Sequence, residues 1–207
     1  MHIKRHAVST KVPLTRKGTK YIALASSHKD NSVPVLIAVR DMLKLAKTAK
    51  EVKEMIKEKV LKINGRVVSD YHESIKLFNI FEAGKPYVLT ILSTKRFAFE
   101  PSKSQERLCK IIGKTQVSKD TFQINCHDGS NLVTKDKIAM GDTLILDFSG
   151  KLKKHISLDK GKVVFIFSGK YTGKNAKVVS IEGQTATLKI EGTDSQTQLN
   201  KSQIIAL

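Results

Sequence analysis

The chain of 207 residues contains no tryptophan, only 6% aromatic residues, two cysteines and four prolines, and no acidic side chain occurs before Asp30. Each scarcity excludes something. With so few aromatics, a broad hydrophobic docking surface is not expected. Two thiols, Cys109 and Cys126, cannot build a disulfide framework, and both read as buried cysteines of a protein outside any oxidising compartment. The absence of a Pro-rich linker implies modules that abut directly. No apolar run approaches the roughly 18 to 20 residues that cross a bilayer. The N-terminus, with Lys4, Arg5 and Lys11, has no apolar leader core. A soluble intracellular protein with no membrane partner is the expectation.

What is present is positive charge. Lys and Arg number 37 against 19 Asp and Glu, a formal net charge of +18. A hydrophobic share of 40% suffices for packed cores in one to three small domains, so the charge is carried by folded protein. Such a field attracts polyanions by counterion release, nucleic acid first and an anionic membrane second. No single basic amphipathic helix collects the charge as a membrane binder would, which leaves nucleic acid.

Along the chain the charge falls in separate places. Residues 1–29 begin with His2, Lys4, Arg5, Lys11, Arg16, Lys17 and Lys20, a self-repelling basic arm expected to order on a phosphate-rich surface. Residues 30–84 read as two helices and a hairpin. Ser32 can cap a helix with Pro34 in its first turn and Leu36, Val39 and Leu43 inward, and Arg40, Lys44 and Lys47 repeat that spacing on another face. Thr48-Ala49-Lys50-Glu51 has the pattern of a capping box opening a second helix, lined outside by Lys50, Lys53 and Lys57. Asn64-Gly65, between two short β-prone runs and flanked by Lys62 and Arg66, predicts a type I′ hairpin. A strand over Ile75 to Phe81 closes the unit.

From Lys85 the helical period disappears. Short strands are predicted at Tyr87–Leu92, Arg96–Phe99, Leu108–Ile112, Thr121–Cys126 and Thr143–Phe148, a central antiparallel β domain over 85–157. A last β module, 158–207, has strands at Val163–Phe167, Lys174–Ile181, Thr185–Ile190 and Ile204-Ile205. Its first two strands flank a loop with Gly169 and Gly173 four apart, decorated by Lys170, Lys174 and Lys177. Such a loop lets backbone approach a partner while lysines meet phosphates. The fold class expected is therefore α+β.

Three resemblances follow from these residues. The capped second helix and the Asn64-Gly65 hairpin resemble an S-four-type RNA-binding domain, which implies RNA contacts for Arg40, Lys44, Lys50, Lys53, Lys62 and Arg66. The stretch from Gly161 to Val178 resembles a KOW motif, a small β-barrel module. The opening His2-Ile3-Lys4-Arg5, the later Arg16-Lys17-Gly18-Thr19-Lys20-Tyr21, the Asn125-Cys126-His127-Asp128-Gly129-Ser130-Asn131 segment and Gly141-Asp142-Thr143 occur in the order of the e-type family of small-subunit ribosomal protein four. Together they cover essentially the whole chain. The resemblance implies a structural, non-enzymatic constituent of the small ribosomal subunit in the cytoplasm. Its partners would be small-subunit ribosomal RNA and neighbouring ribosomal proteins, with no small-molecule substrate and no cofactor. The chain ends soon after the KOW module, which suits an archaeal-type member.

The competing readings are a free-standing RNA-binding factor, such as a KOW transcription factor or RNA chaperone, and an RNA-modifying enzyme. His127-Asp128 followed by Asn131 reads as a β-turn rather than a catalytic dyad, since no nucleophile or carboxylate pair accompanies it. Cys109, Cys126 and His127 lack the spacing of a structural zinc site. A nucleotide P-loop is excluded because no Gly-Lys-Ser/Thr follows the glycines.

Overall fold

The computed structural model describes residues 2–102, 104–136, 138–192 and 196–207, and the chain divides into two compact units, Met1–Gln105 and Glu106–Leu207. In the first unit, β1 (His2–Lys4) pairs antiparallel with β2 (Tyr21–Ala23), which ties together the two ends of the basic segment. Val12, Ile22 and Ala25 are buried, and the Phe97 N–H donates to the Lys11 carbonyl at 2.7 Å. The segment expected to order on a polyanion is thus folded within the chain itself. Its few apolar residues find a core, and the backbone pairing outweighs the repulsion of exposed cations.

β3 (Ser32–Pro34) pairs with β6 (Ser74–Lys76), and helix α1 (Val35–Ile37) widens into a π-helical turn over Ala38–Met42. Ser32 does not cap this helix. Its hydroxyl donates to the carbonyls of Ser27 and His28, both at 2.9 Å, while Pro34 takes the capping position. Helix α2 (Ala49–Lys57) opens as the capping pattern predicts. The Glu51 N–H donates to Thr48 Oγ1 at 3.3 Å, and the Glu51 carboxylate accepts from the Lys47 N–H at 2.8 Å and the Thr48 hydroxyl at 2.9 Å. These donors, the Lys47 N–H foremost, hold the Glu51 carboxyl below its ordinary range.

β4 (Leu61–Ile63) and β5 (Arg66–Val67) join through Asn64 at φ 50° and Gly65 at φ 79°. Both central residues are left-handed, as a type I′ turn requires. The strand expected over 75–81 is two strands, β6 and β7 (Ile80–Ala83), because Phe78 sits at φ 60° and its N–H turns to the Leu89 carbonyl. β8 (Lys85–Ile91) and β9 (Phe97–Pro101) complete a five-stranded sheet of order β5-β4-β7-β8-β9. The strands on either side of residue 84, where the sequence suggests a boundary, are therefore neighbours in one sheet.

The second unit holds two five-stranded antiparallel sheets. β10 (Glu106–Ser118), β11 (Thr121–Cys126), β12 (Asn131–Thr134), β13 (Thr143–Asp147) and β14 (Leu152–Ile156) take the order β12-β11-β10-β13-β14. Cys109, Ile111, Ile124, Leu144 and Leu146 fill their core. The other sheet is formed by β15 (Val163–Ile166), β16 (Asn175–Glu182), β17 (Thr185–Ile190), β18 (Gln196–Asn200) and β19 (Ile204–Ala206). Its order, β18-β17-β16-β15-β19, is a meander whose last strand returns beside the first, curling the sheet into a small barrel.

Buried polar groups join the two sheets. Lys110 on β10 donates from Nζ to the carbonyls of Lys201 at 2.5 Å and Ile204 at 2.7 Å. Asp142 accepts from the Leu158 N–H and lies 2.7 Å from His155 Nε2, and Thr143 Oγ1 accepts from the Ala206 N–H. Burial lowers the Lys110 pKa to about 8.

Candidate nucleic-acid interface

The structure separates the basic residues into those that hold the fold and those that face outward. In the N-terminal segment the Arg5 guanidinium turns inward, donating to the carbonyls of Thr15 (2.6 Å) and Thr19 (2.8 Å) and to Thr19 Oγ1 (3.2 Å). Gly18 lies so close that a Cβ there would stand 2.6 Å from Arg5 Nη2, which explains a glycine at this crossing. Lys11 is half-buried and donates to Asn31 Oδ1 at 2.5 Å, and burial, only partly opposed by Asp30, lowers its pKa. His2, Lys4, Arg16, Lys17 and Lys20 are exposed. His2 meets the Tyr21 ring edge-on at 4.9 Å, and Lys20 Nζ lies 5.5 Å from the same ring, so an aromatic side chain sits among the cations.

Arg40, Lys44 and Lys47 do not share a helix face. The helix ends by Leu43, Lys44 follows at φ 56°, and Lys47 precedes the next cap. Arg40 is paired with its neighbour Asp41 at 2.8 Å. Lys50, Lys53 and Lys57 do line one exposed side of α2, and Lys53 Nζ lies 5.0 Å from the Tyr71 ring. At the hairpin, Gly65 is exposed and Lys62 half-buried, while Asn64 Oδ1 accepts from the Ile80 N–H at 2.9 Å and Arg66 pairs with Glu73 at 2.6 Å. Asn64 thus locks the turn onto β7.

In the C-terminal sheet, the loop between β15 and β16 carries Gly169 at φ 97° and Gly173 at φ 83°. The Gly173 N–H donates to the Ile166 carbonyl at 2.7 Å and the buried Thr172 hydroxyl to the Gly169 carbonyl at 2.7 Å, so the loop is built rather than slack. Lys170, Lys174 and Lys177 project from it and from β16, all exposed.

Some arrangements escape sequence spacing. Cys109, Cys126 and Asp128 place three potential ligand atoms within 4.8 Å of one another, because β10 and β11 are paired. The carboxylate there already has its cation: Arg107 Nη1 lies 2.5 Å from Asp128 Oδ2, and both side chains are nearly buried. The Cys109 thiol also donates to Asp128 Oδ2 at 3.3 Å. Its contact with Cys126, together with burial, pushes the Cys109 thiol far up, so it stays protonated. Asp128 Oδ1 accepts from the Ser130 N–H (2.9 Å) and hydroxyl (2.5 Å), and Gly129 follows at φ 81°, which makes His127-Asp128-Gly129 a braced turn. Burial opposes its charge, but Ser130 and Arg107 outweigh that and hold the Asp128 carboxyl low. Lys110 and Lys189 likewise stand outside the basic faces that the sequence predicts; the alternation of Thr185–Ile190, with Ala186, Leu188 and Ile190 buried, places Lys189 on the outer face.

An α+β chain of small β modules, with cations displayed on a helix, a hairpin and a glycine loop, is the architecture of a KOW-module protein. Residues 160–191 match the KOW motif and residues 83–151 match the ribosomal S4e family. The chain is 33% identical over 198 residues to the small ribosomal subunit protein eS4 of Methanocaldococcus jannaschii, covering 87% of this chain and 81% of that one. Against the eS4 protein of Methanocella arvoryzae it is 28% identical over 189 residues, with the same coverage. The crystal structure of the 30S ribosomal protein S4e from Thermoplasma acidophilum superposes with a TM-score of 0.74 at 21% identity, covering 86% of this chain and 96% of that one. The chain belongs to the S4e family of ribosomal proteins.

Proposed function

We propose that this protein is a structural constituent of the small ribosomal subunit in the cytoplasm, binding folded ribosomal RNA and abutting neighbouring ribosomal proteins. The observation that carries the reading is the division of labour among its cations within an S4e-family chain. Lys50, Lys53 and Lys57, Lys4, Arg16, Lys17 and Lys20, and Lys170, Lys174 and Lys177 form three exposed sets on separate elements. Folded RNA brings several backbones together, and separate small patches suit it better than one groove. His2 and Lys44 add to the first two sets, with Lys47 beside the α2 cap. Gly65 and Lys62 let the hairpin approach a sugar-phosphate backbone. Arg5, Lys11, Arg40, Asn64 and Arg66 brace this surface, each engaged with a protein partner.

Binding of deproteinised small-subunit ribosomal RNA, measured across a salt series, tests this. Affinity is expected to fall with a log–log slope of about −0.7 to −0.9 per phosphate neutralised. A flat salt dependence contradicts the proposal.

A further inference from the structure

The chain has eight Phe and four Tyr, and among the described residues Tyr21 alone of these aromatic side chains is exposed, at 48%. The others are buried or half-buried. The place of Tyr21 follows from the register of the N-terminal ribbon. β1 and β2 pair His2 with Ala23, Ile3 with Ile22 and Lys4 with Tyr21. Successive side chains of a strand point to opposite faces. Ile3 and Ile22 therefore turn inward, Ile22 to 4% exposure, and His2, Lys4, Tyr21 and Ala23 share the outer face.

The ring stands among cations. Lys4 lies directly across the ribbon, His2 meets the ring edge-on at 4.9 Å, and Lys20 Nζ is 5.5 Å from its centroid, near the limit of about 6 Å for a cation–π contact. No carboxylate belongs to this segment, since no acidic residue precedes Asp30, and Asp30 acts on the half-buried Lys11. Folding accounts for the inward isoleucines. It does not account for a ring left half open to water beside three basic side chains, because an aromatic side chain stabilises a fold by being buried. A nucleotide matches both features: its base has a π face to lay on the ring, and the phosphates on either side call for cations. Lys20 ends a flexible chain and can exchange its loose contact with the ring for a phosphate, while Lys4 supplies the second cation from the facing strand.

We propose that Tyr21 is a stacking platform for an unpaired base of the RNA, with Lys4 and Lys20 holding the phosphates that flank it. The proposal rests on the RNA-binding reading above and deepens it at the N-terminal set of cations. There the protein grips a base as well as phosphates, which selects an unstacked nucleotide over a plain duplex.

The chain has no tryptophan, so Tyr21→Trp places a single indole at the site. Titration of this full-length variant with deproteinised small-subunit ribosomal RNA should quench its emission as a base stacks on the indole, whereas heparin, a polyanion without bases, should bind and leave the emission unchanged. Tyr21→Leu should lower ribosomal RNA affinity by about fivefold or more, with heparin affinity unchanged. Tyr21→Phe keeps the ring and should bind both ligands as the wild type does, and Lys4→Gln with Lys20→Gln should weaken both. Undiminished emission at saturating RNA, equal quenching by heparin, or wild-type RNA affinity in the folded Tyr21→Leu variant overturns the proposal. Equal losses for RNA and heparin in Tyr21→Leu would show that the ring only shapes the ribbon, and overturn it too. Failure of the wild type to bind ribosomal RNA at all would instead overturn the underlying function.

Discussion

The two units treat their basic residues differently. Residues 1–105 hold 21 Lys and Arg against 9 Asp and Glu, a net +12, whereas residues 106–207 hold 16 against 10, a net +6. In the first unit three arginines are spent locally, Arg5 on threonine carbonyls, Arg40 on Asp41 and Arg66 on Glu73, all at the surface or near it, while Arg16 is exposed. In the second, Arg107 and Lys110 are withdrawn into the interior, where one balances Asp128 and the other ties β10 to the C-terminal segment. The shared lesson is that the cations fall into two kinds: Arg5, Arg40, Arg66 and Arg107, with a planar fork that satisfies several acceptors at once, brace the fold together with Lys11 and Lys110, while Arg16 and most lysines stay exposed. Net charge alone does not reveal this division.

The largest expected effect breaks the interior half of the comparison. Asp128→Ala leaves the Arg107 charge buried, where its Nε already lacks a hydrogen-bond partner, and should cost about 3 to 5 kcal/mol in urea unfolding. The second unit is expected to lose its near-ultraviolet signal first. Because the Asp128 carboxyl is held low in the fold, its contribution is present at neutral pH and is lost as pH falls below about 4. A change within 1 kcal/mol would show that the pair is incidental.

The next test concerns the outward half. Replacing Lys50, Lys53 and Lys57 together by Glu should weaken ribosomal RNA binding by tenfold or more, about 1.4 kcal/mol or above, with helix content unchanged by circular dichroism. A stability loss with binding intact would reverse the roles assigned to lysine and arginine. Arg5→Lys keeps the charge but cannot reach the Thr15 and Thr19 carbonyls together. It should loosen residues 6–20, seen as faster proteolysis there, at a cost of about 1 to 2 kcal/mol. Unchanged cleavage would mean that strand pairing suffices.

The last test is a pH dependence. Lys110 has its pKa lowered to about 8 in the fold, so between roughly pH 8 and 10.5 the unfolded chain binds the extra proton and stability rises with pH. Lys110→Met should remove that rise. A difference in melting temperature between wild type and variant that is constant across pH 7 to 10 would contradict it.

Much of this was legible in the sequence where local chemistry decides. Thr48 with Glu51 marked the start of α2, Asn64-Gly65 marked the hairpin, and the strands at 121–126 and 185–190 have the predicted bounds. Edge strands were missed because little apolar alternation marks them: β14 reads Leu-Lys-Lys-His-Ile, and β18 has Leu199 alone among polar residues. The folded N-terminal segment escaped notice because its closure depends on Arg5 reaching carbonyls 10 and 14 residues away, a nonlocal satisfaction that composition cannot show. The same holds for the site: exposed lysines were readable from spacing, but which cations are engaged internally depends on pairings such as β10 with β11 and the late return of β19.

The most direct test of the central claim is a sedimentation gradient of small ribosomal subunits from cells that make this protein, washed in high salt. One copy per subunit, retained through the wash, is the predicted result. Release of the protein to the top of the gradient, or its presence in a small fraction of subunits, would contradict a role as a structural constituent.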